Sequence, residues 1–190
     1  MAVKIETGHT NLLETEARFY KMLGNGQGIP KLHWFGVEGD FRAIVFGFLG
    51  PSLRDLLHYC GRPFSLKTVL MLADQLICRL RHIHSKKIIH CDVTPANCLM
   101  GVGREGNTVY LTDFGISHLY NPTYNPERGH MRGTVKFLSR NGQRGFGSCS
   151  GHQKCYMKLM TGRAISTRRH GEPWVHAHSF IAQTALGIYL

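Results

Sequence analysis

The most informative part of this sequence is His90-Cys91-Asp92-Val93-Thr94-Pro95-Ala96-Asn97, which is followed, 16 residues past Asn97, by Asp113-Phe114-Gly115. Short apolar segments flank both stretches, so we expect loops that join short strands. Such loops can present Asp92, Asn97 and Asp113 to one cleft. Phosphoryl transfer from a nucleotide needs one carboxylate that orients the attacking hydroxyl. It also needs a carboxylate and an amide oxygen that hold Mg²⁺ against phosphate oxygens.

The segments upstream of these loops alternate between strand and helix patterns. Ala2-Val3-Lys4-Ile5 is strand-like, and Phe41–Phe46 is typical of a buried strand. Between them, apolar residues recur at helical spacing over Leu12–Leu23. We expect Asn11 to cap this helix and Gly24 to end it.

The strongest helix pattern begins at Ser65. The apolar residues after it follow the i, i+3, i+4, i+7 spacing and predict one wide buried face, made of Leu66, Val69, Leu70, Ala73, Leu76, Ile77, Leu80 and Ile83. Before this helix, Gly47 and the Gly50-Pro51 pair interrupt the pattern and predict a linker.

Composition excludes several classes of protein. Of the 190 residues, 43% are hydrophobic and 18% charged, so the chain can bury a core and wholesale disorder is not expected. No run of about 18 apolar residues occurs, which predicts no membrane-spanning helix and no membrane partner. The six cysteines include no C-x-x-C pair, and the start lacks the apolar run of a secretory leader. We therefore expect reduced thiols in the cytoplasm or nucleus.

Charge and periodicity separate a body from a tail. The net charge of +11 permits weak attraction to nucleic acid, but no block of five Lys or Arg occurs, so a basic solvated surface is favoured over a nucleic-acid site. Residues 141–190 hold six Lys or Arg and one acid, Glu172, with poor periodicity. We expect a poorly structured basic tail, produced by a shifted reading frame, a mis-spliced exon or a degenerate gene; a real divergent tail is the alternative.

Over about residues 2–140 the sequence resembles the eukaryotic protein kinases of the casein kinase 1 type. The resemblance rests on Ala2-Val-Lys-Ile-Glu6, Gly26-Gln-Gly-Ile-Pro30, Leu49-Gly-Pro-Ser-Leu53, Lys67–Gln75, His90–Asn97, Leu99-Met-Gly101 and Asp113–Gly115. Of these, Leu49–Leu53 and Lys67–Gln75 point to the casein kinase 1 subfamily. Gly133-Thr134 followed by Ser139 resembles the stretch that replaces the usual A-P-E triplet there.

The resemblance implies an α+β, protein-kinase-like bilobal fold, truncated at both ends. Residues 1–46 would form a partial small lobe, residues 47–51 the hinge, and residues 52–140 a partial helical large lobe with the catalytic and D-F-G loops. Residues 141–190 would remain an unmatched basic tail.

The same resemblance implies roles for individual residues. Lys4 would contact the α- and β-phosphates of ATP and pair with Glu16, because Tyr20-Lys-Met fixes the register. Glu14 is the competing partner, less favoured by that register. Asp92 would be the catalytic base.

The nucleotide and metal contacts follow in the same way. Asn97 and Asp113 would bind Mg²⁺. Phe46 would lie at the back of the adenine pocket, Gly47, Phe48 and Leu49 would form the hinge, and Leu99 would complete the nucleotide site. The implied activity is ATP-dependent phosphorylation of Ser or Thr in acidic or pre-phosphorylated protein segments, which agrees with a basic chain.

Three departures from the family pattern bear on catalysis. Only Met1 precedes Ala2, so we expect the glycine-rich phosphate loop to be missing; Gly24-Asn-Gly-Gln-Gly28 follows a helix and is interpreted as a turn. Cys91 replaces the family's Arg, and Thr94 replaces the Lys that neutralises the transferred group. Because losing such a charge costs on the order of 10²–10³ in rate, we expect little or no turnover. The alternative function is that of a catalytically inactive kinase fragment or pseudokinase that acts as a binding module.

Overall fold

The structure is a computed structural model that describes residues 1–8, 10–120, 133, 134 and 137. Within this part the helices are α1 (Leu12–Leu23), α2 (Leu53–Cys60) and α3 (Leu66–Ser85). The strands are β1 (Ala2–Thr7), β2 (Leu32–Glu38), β3 (Phe41–Phe46), β4 (Ile88–Ile89), β5 (Cys98–Met100), β6 (Val109–Leu111) and β7 (His118–Leu119). The predictions on Ser139 and on residues 141–190 lie outside the described residues. The mixture of segregated strands and helices confirms the predicted α+β class.

An antiparallel sheet with the strand order β1-β3-β2 forms the N-terminal part. Lys4 of β1 lies opposite Ile44 of β3, and Phe35 of β2 lies opposite the same residue, so these three side chains share one face. Helix α1 covers that face, because Ile44 and the helix residues Leu13 and Phe19 are fully buried in one hydrophobic core.

The predicted bounds of α1 are confirmed, but the predicted cap is wrong. The Asn11 side chain makes no capping hydrogen bond. Instead, Glu6 Oε2 on β1 accepts a hydrogen bond of 3.1 Å from the Leu13 N–H. A carboxylate serves this position better than an amide because it also meets the positive end of the helix dipole. At the other end Gly24 stops the helix as predicted, with a φ of 61° and its N–H bonded to the Tyr20 carbonyl at 3.0 Å.

Residues 47–51 contain no helix or strand, as the glycine and proline signals predict. They are held against β5, since the Gly50 N–H donates to the Met100 carbonyl at 2.8 Å and the Met100 N–H donates to the Pro51 carbonyl at 3.0 Å. Helix α2 follows at once. Its start is a reciprocal capping box between Ser52 and Asp55, a spacing that is readable in the sequence.

Helix α3 opens at Ser65, whose hydroxyl accepts a hydrogen bond from the Thr68 N–H at 3.2 Å. The predicted buried face is largely confirmed: Val69, Ala73, Leu76, Leu80 and Ile83 are in the core. The prediction is wrong for Leu66 and Leu70, whose side chains are 73% and 42% exposed. The buried stripe instead includes Leu72 and the side chain of Arg79. Among the described residues, no helix is long and apolar enough to span a membrane.

The segment Gly24–Gly28 is a turn that packs on the helical part of the chain. The Ile29 N–H closes the turn on the Gly26 carbonyl at 3.0 Å, and the Gly28 carbonyl accepts the Leu111 N–H at 2.9 Å. Arg79 fills the space beside Gly28 and donates from Nε to the Val109 carbonyl at 3.1 Å. This segment therefore joins the end of α1 to α3 and β6.

We expect Gly28→Ala to destabilise the protein by about 2–4 kcal/mol, because strain at positive φ adds to overpacking. Gly28 has a φ of +71°, and an added Cβ would lie 1.9 Å from Arg79 Nε and 2.6 Å from the Val109 carbonyl. Gly39 is the matched control, since it has a φ of +54° with no atom near the added Cβ. Gly39→Ala should cost about 1 kcal/mol. Equal losses for the two variants in urea unfolding would contradict the proposed packing.

The Glu6 cap predicts a pH-dependent stability. Although burial alone would raise the pKa of Glu6, hydrogen bonds from Thr10 and Leu13 outweigh it and lower the pKa below the ordinary 4.5. A lowered pKa in the folded state means that the stabilisation is present above pH 4.5 and is lost as the pH falls through the lowered value. We expect Glu6→Ala to lose about 1 kcal/mol at pH 7 and progressively less below pH 4.5. Denaturant titrations across this range, with Glu38→Ala as the exposed control, measure the difference.

Candidate functional site

A buried carboxylate on α1 meets a cation on β1. Lys4 Nζ lies 2.7 Å from Glu16 Oε2, and the side chains are 45% and 2% exposed, respectively. Lys4 Nζ also lies 3.2 Å from Asp113 Oδ1. The structure therefore brings together Lys4, Glu16 and Asp113, and it selects Glu16 over the competing Glu14.

The protonation of this group follows from its surroundings. Burial raises the pKa of Glu16, and Lys4 opposes that effect. Burial alone would lower the pKa of Lys4, but the charges and hydrogen bonds of Glu16 and Asp113 outweigh it and raise the pKa. Lys4 is therefore held as a cation, with one partly exposed side available to an anionic ligand.

Asp113 stands in a strained backbone position. Its φ is 67°, in the left-handed region that Asp tolerates better than most residues. Its N–H donates to the Tyr20 hydroxyl at 3.3 Å, and its Oδ1 accepts the Gly115 N–H at 3.4 Å. Bonds on both sides of the residue keep the carboxylate beside Lys4.

Aromatic rings connect α1 to both loops. The Tyr20 ring meets Phe46 edge-on with centroids 5.3 Å apart, and it meets Phe114 edge-on at 5.0 Å. Phe114 in turn lies 4.7 Å from the His90 ring. Phe114 and His90 are both fully buried, so these packed rings link Asp113 to the loop of residues 90–97.

His90 shapes the loop rather than exchanging protons. The Asp92 N–H donates to His90 Nδ1 at 3.2 Å, so Nδ1 is the acceptor nitrogen. Nε2 therefore carries the proton and donates to the Thr112 carbonyl at 3.0 Å. Burial lowers the pKa of His90, which keeps the ring neutral near pH 7.

Asp92 is oriented from two directions. Asn97 Nδ2 donates to both the Asp92 carbonyl and Asp92 Oδ2, each at 2.9 Å. The Thr134 N–H and hydroxyl donate to Oδ1 at 2.9 and 2.8 Å. Because Asn97 uses its amide nitrogen on Asp92, its Oδ1 is the atom by which it would hold a cation. Sequence reasoning did not predict the Thr134 contact, since 42 residues separate it from Asp92.

Backbone hydrogen bonds connect the loop that carries Asp92 and Asn97 to the residue before Asp113. Thr112, which precedes Asp113, donates its N–H to the Asn97 carbonyl at 2.9 Å and its hydroxyl to the same oxygen at 3.1 Å. The Thr112 carbonyl accepts from His90. These hydrogen bonds join the segment of residues 90–97 to the segment of residues 113–115.

Thr94 and Cys91, which depart from the family pattern, both have structural roles. The buried Thr94 hydroxyl accepts the Asn97 N–H at 3.3 Å and caps the short 3₁₀ turn Pro95–Asn97. Cys91 is buried, with a φ of 71° and its Sγ 3.2 Å from His118 Nδ1. Neither residue carries the charge that the family has at its position.

The expected nucleotide-side residues lie along the segment that joins the sheet to α2. Phe46 is half-buried against Tyr20, while Phe48 is 63% exposed. Leu99 on β5 pairs with Ser52 in an isolated β-bridge. Ser52 directly follows residues 47–51, which include Leu49. The role of these residues in adenine binding stays a prediction.

The donor chemistry fits a magnesium–nucleotide pair. The described residues contain no cluster of three or more His, Cys, Asp or Glu side chains that could hold a metal ion without help. One carboxylate and one amide oxygen, Asp113 and Asn97, leave most of a Mg²⁺ coordination shell to be filled by phosphates and water. Lys4 would supply a cation for the same phosphates.

Comparison with known families gives an independent result. The model of the family described as protein kinase domain matches residues 3–141. The match includes β1 from Val3 onward, both loops and Thr134, and it covers well over half of the chain.

We expect Lys4→Met to destabilise the protein by about 1–3 kcal/mol at pH 7, less than for a fully buried pair because Lys4 is half exposed. The variant leaves the Glu16 carboxylate buried without its cation, which raises its pKa further. A raised pKa means that the folded state gains stability as the pH falls through it, so the deficit should shrink as the pH falls from 7 towards the ordinary glutamate value of 4.5. Urea unfolding of Lys4→Met and of the exposed control Lys67→Met measures this, and a pH-independent deficit would refute it.

Proposed function

The chain belongs to the protein kinase family, and from this we propose that it transfers the γ-phosphoryl group of ATP to Ser or Thr hydroxyls of proteins. The α+β, kinase-like fold expected from the sequence is confirmed by the family match together with the strands and helices. One observation carries the proposal: Lys4, Glu16 and Asp113 meet at hydrogen-bond distance although they lie on three separate segments of the chain.

In the proposed mechanism each residue holds or orients one group. Lys4 binds the α- and β-phosphate oxygens, and Glu16 keeps the lysine side chain in that position. Asp92 accepts a hydrogen bond from the substrate hydroxyl and takes its proton as the bond to phosphorus forms. Asn97 fixes the Asp92 carboxylate through the bonds from Nδ2 to Oδ2 and to the carbonyl.

Mg²⁺ and ATP are the cofactors of the proposed reaction. Asp113 Oδ and Asn97 Oδ1 would hold the metal, which neutralises phosphate charge when bound. Phe46, Gly47, Phe48, Leu49 and Leu99 would line the adenine side. Since Lys4 already contacts Asp113, the phosphates and the metal would be held next to each other.

We further propose that the kinase is of the casein kinase 1 type. Leu49–Leu53 and Lys67–Gln75 support this subfamily, as they do in the sequence. Thr134 supports a Ser or Thr substrate, because a hydroxyl on a short side chain reaches Asp92 Oδ1 at 2.8 Å. The net charge of +11 favours acidic or pre-phosphorylated protein substrates over basic ones. None of the described cysteines, Cys60, Cys78, Cys91 and Cys98, is in a disulfide, which supports a cytoplasmic or nuclear location.

A second candidate function has its own observation. The Thr94 hydroxyl is used as a cap and brings no charge towards the transferred phosphoryl group. Losing such a charge costs on the order of 10²–10³ in rate, so slow turnover is expected. A chain that bound nucleotide without transfer would be a pseudokinase that acts as a binding module.

Phosphate transfer to casein from labelled ATP with Mg²⁺ tests the proposal. We expect slow labelling of Ser and Thr, reduced by about 10²–10⁴-fold in Asp92→Asn, which removes the base. Asp74→Asn, an exposed acid on α3, is the matched control and should leave the rate unchanged. A rise in melting temperature with ATP and Mg²⁺ should occur in the wild type and disappear in Asp113→Asn.

The outcomes separate the candidates. A nucleotide-dependent melting shift without transfer would favour the pseudokinase. Transfer that persists in Asp92→Asn would overturn the role of Asp92. The absence of both the melting shift and transfer would overturn the proposed kinase activity and favour a catalytically inactive kinase fragment.

A further inference from the structure

The described cysteines differ in their surroundings. Cys60 and Cys78 are exposed, whereas Cys98 has no exposed surface and burial raises the pKa of its thiol to about 12. Cys91 is 8% exposed, and its Sγ lies 3.2 Å from Nδ1 of His118. A thiol within hydrogen-bond reach of an imidazole is the arrangement by which cysteine nucleophiles are activated in proteins.

Backbone pairing holds His118 beside the loop that carries the thiol. Strands β4 and β7 are antiparallel partners, and Ile89 lies directly opposite His118. The neighbouring Ser117 donates its hydroxyl to the His90 carbonyl at 3.1 Å. The residues next to Cys91 and next to His118 are therefore bonded to each other, so the separation of the two side chains is set by the backbone.

The imidazole is the nearer of two acceptors for the thiol proton. The Ile89 carbonyl lies 3.7 Å from Cys91 Sγ, against 3.2 Å for His118 Nδ1. An imidazole nitrogen can accept a proton outright, whereas a carbonyl oxygen can only accept a hydrogen bond. The His118 side chain is only partly buried, so the pair is not sealed from small solutes.

We propose that Cys91 is a site of oxidation by hydroperoxides, with His118 as the base that activates its thiol. The sulfur attacks one oxygen of hydrogen peroxide, so that an S–O bond forms and the O–O bond breaks. The thiol proton passes to His118 Nδ1 and from there to the departing hydroxide, which leaves as water. The sulfur is oxidised by two electrons to a sulfenic acid as the peroxide is reduced.

The place of this cysteine in the chain gives the oxidation a consequence. Cys91 directly precedes Asp92, whose carboxylate is held by Asn97 and Thr134. An oxygen atom added to a sulfur that is 8% exposed needs space that the loop would have to provide. The oxidation itself does not depend on the proposed kinase activity.

Treatment of the full chain with hydrogen peroxide at pH 7, followed over time by mass spectrometry of the cysteine-containing peptides, tests the proposal. We expect Cys91 to gain oxygen about three- to tenfold faster than the exposed Cys60 and Cys78, because the base compensates for burial. Cys98 should stay unoxidised in the folded chain. A Cys91 that reacts no faster than Cys60 and Cys78 would overturn the proposal without the need for any variant.

Substitution of the base gives a second measurement. His118→Asn should slow oxidation of Cys91 about three- to tenfold and leave Cys60 unchanged, while His58→Asn, at an exposed histidine of α2, should change neither rate. Protection of Cys98 reports that each variant is folded, and His118→Gln replaces His118→Asn if that protection is lost. An undiminished Cys91 rate in the folded variant would refute the role of His118.

Discussion

The buried carboxylate of Glu16 constrains much of this structure. A carboxylate that is 2% exposed is costly unless a cation reaches it, and Lys4 is that cation. The pair therefore requires β1 and α1 to pack in one register. Because Lys4 also reaches Asp113, the same requirement extends to the loop after β6. The charged groups of Lys4, Glu16 and Asp113 thus couple the sheet, helix α1 and the loop after β6.

The ends of α1 show how the contact is maintained. At the N-terminus, the Glu6 carboxylate caps the helix from β1. At the C-terminus, the Leu23 carbonyl is bonded to His82 on α3, and the turn beyond it is bonded to β6 through Gly28. The helix that carries Glu16 is thus tied to the sheet at one end and to the helical part at the other. Its position does not rely on the ion pair alone.

Local signals in the sequence were sufficient for the elements with strong periodicity and for the polar loops. Leu12–Leu23 and Phe41–Phe46 have the predicted bounds because glycines and charged residues end each apolar pattern. The missed elements are those whose pattern is broken: β2 contains a register shift, and α2 is only 8 residues long. The contact of Thr134 with Asp92 and the exposure of Leu70 depend on tertiary packing, which no local pattern encodes. The roles of the site residues came from the family resemblance, and the structure adds their contacts.

The loop of residues 90–97 contains residues that hold its shape and others that would act on phosphate in the proposed reaction. His90, Asn97 and Thr112 form hydrogen bonds with backbone atoms of residues 92 and 97, so they hold the conformation of the loop independently of charge. Thr94 joins this group, since its hydroxyl caps the 3₁₀ turn. A lysine at that position could not make this cap, and a threonine cannot neutralise phosphate. Thr94 therefore stabilises the loop and contributes no charge towards a transferred phosphoryl group, so the feature that holds the shape of the loop is also the one that weakens its electrostatics for the proposed reaction.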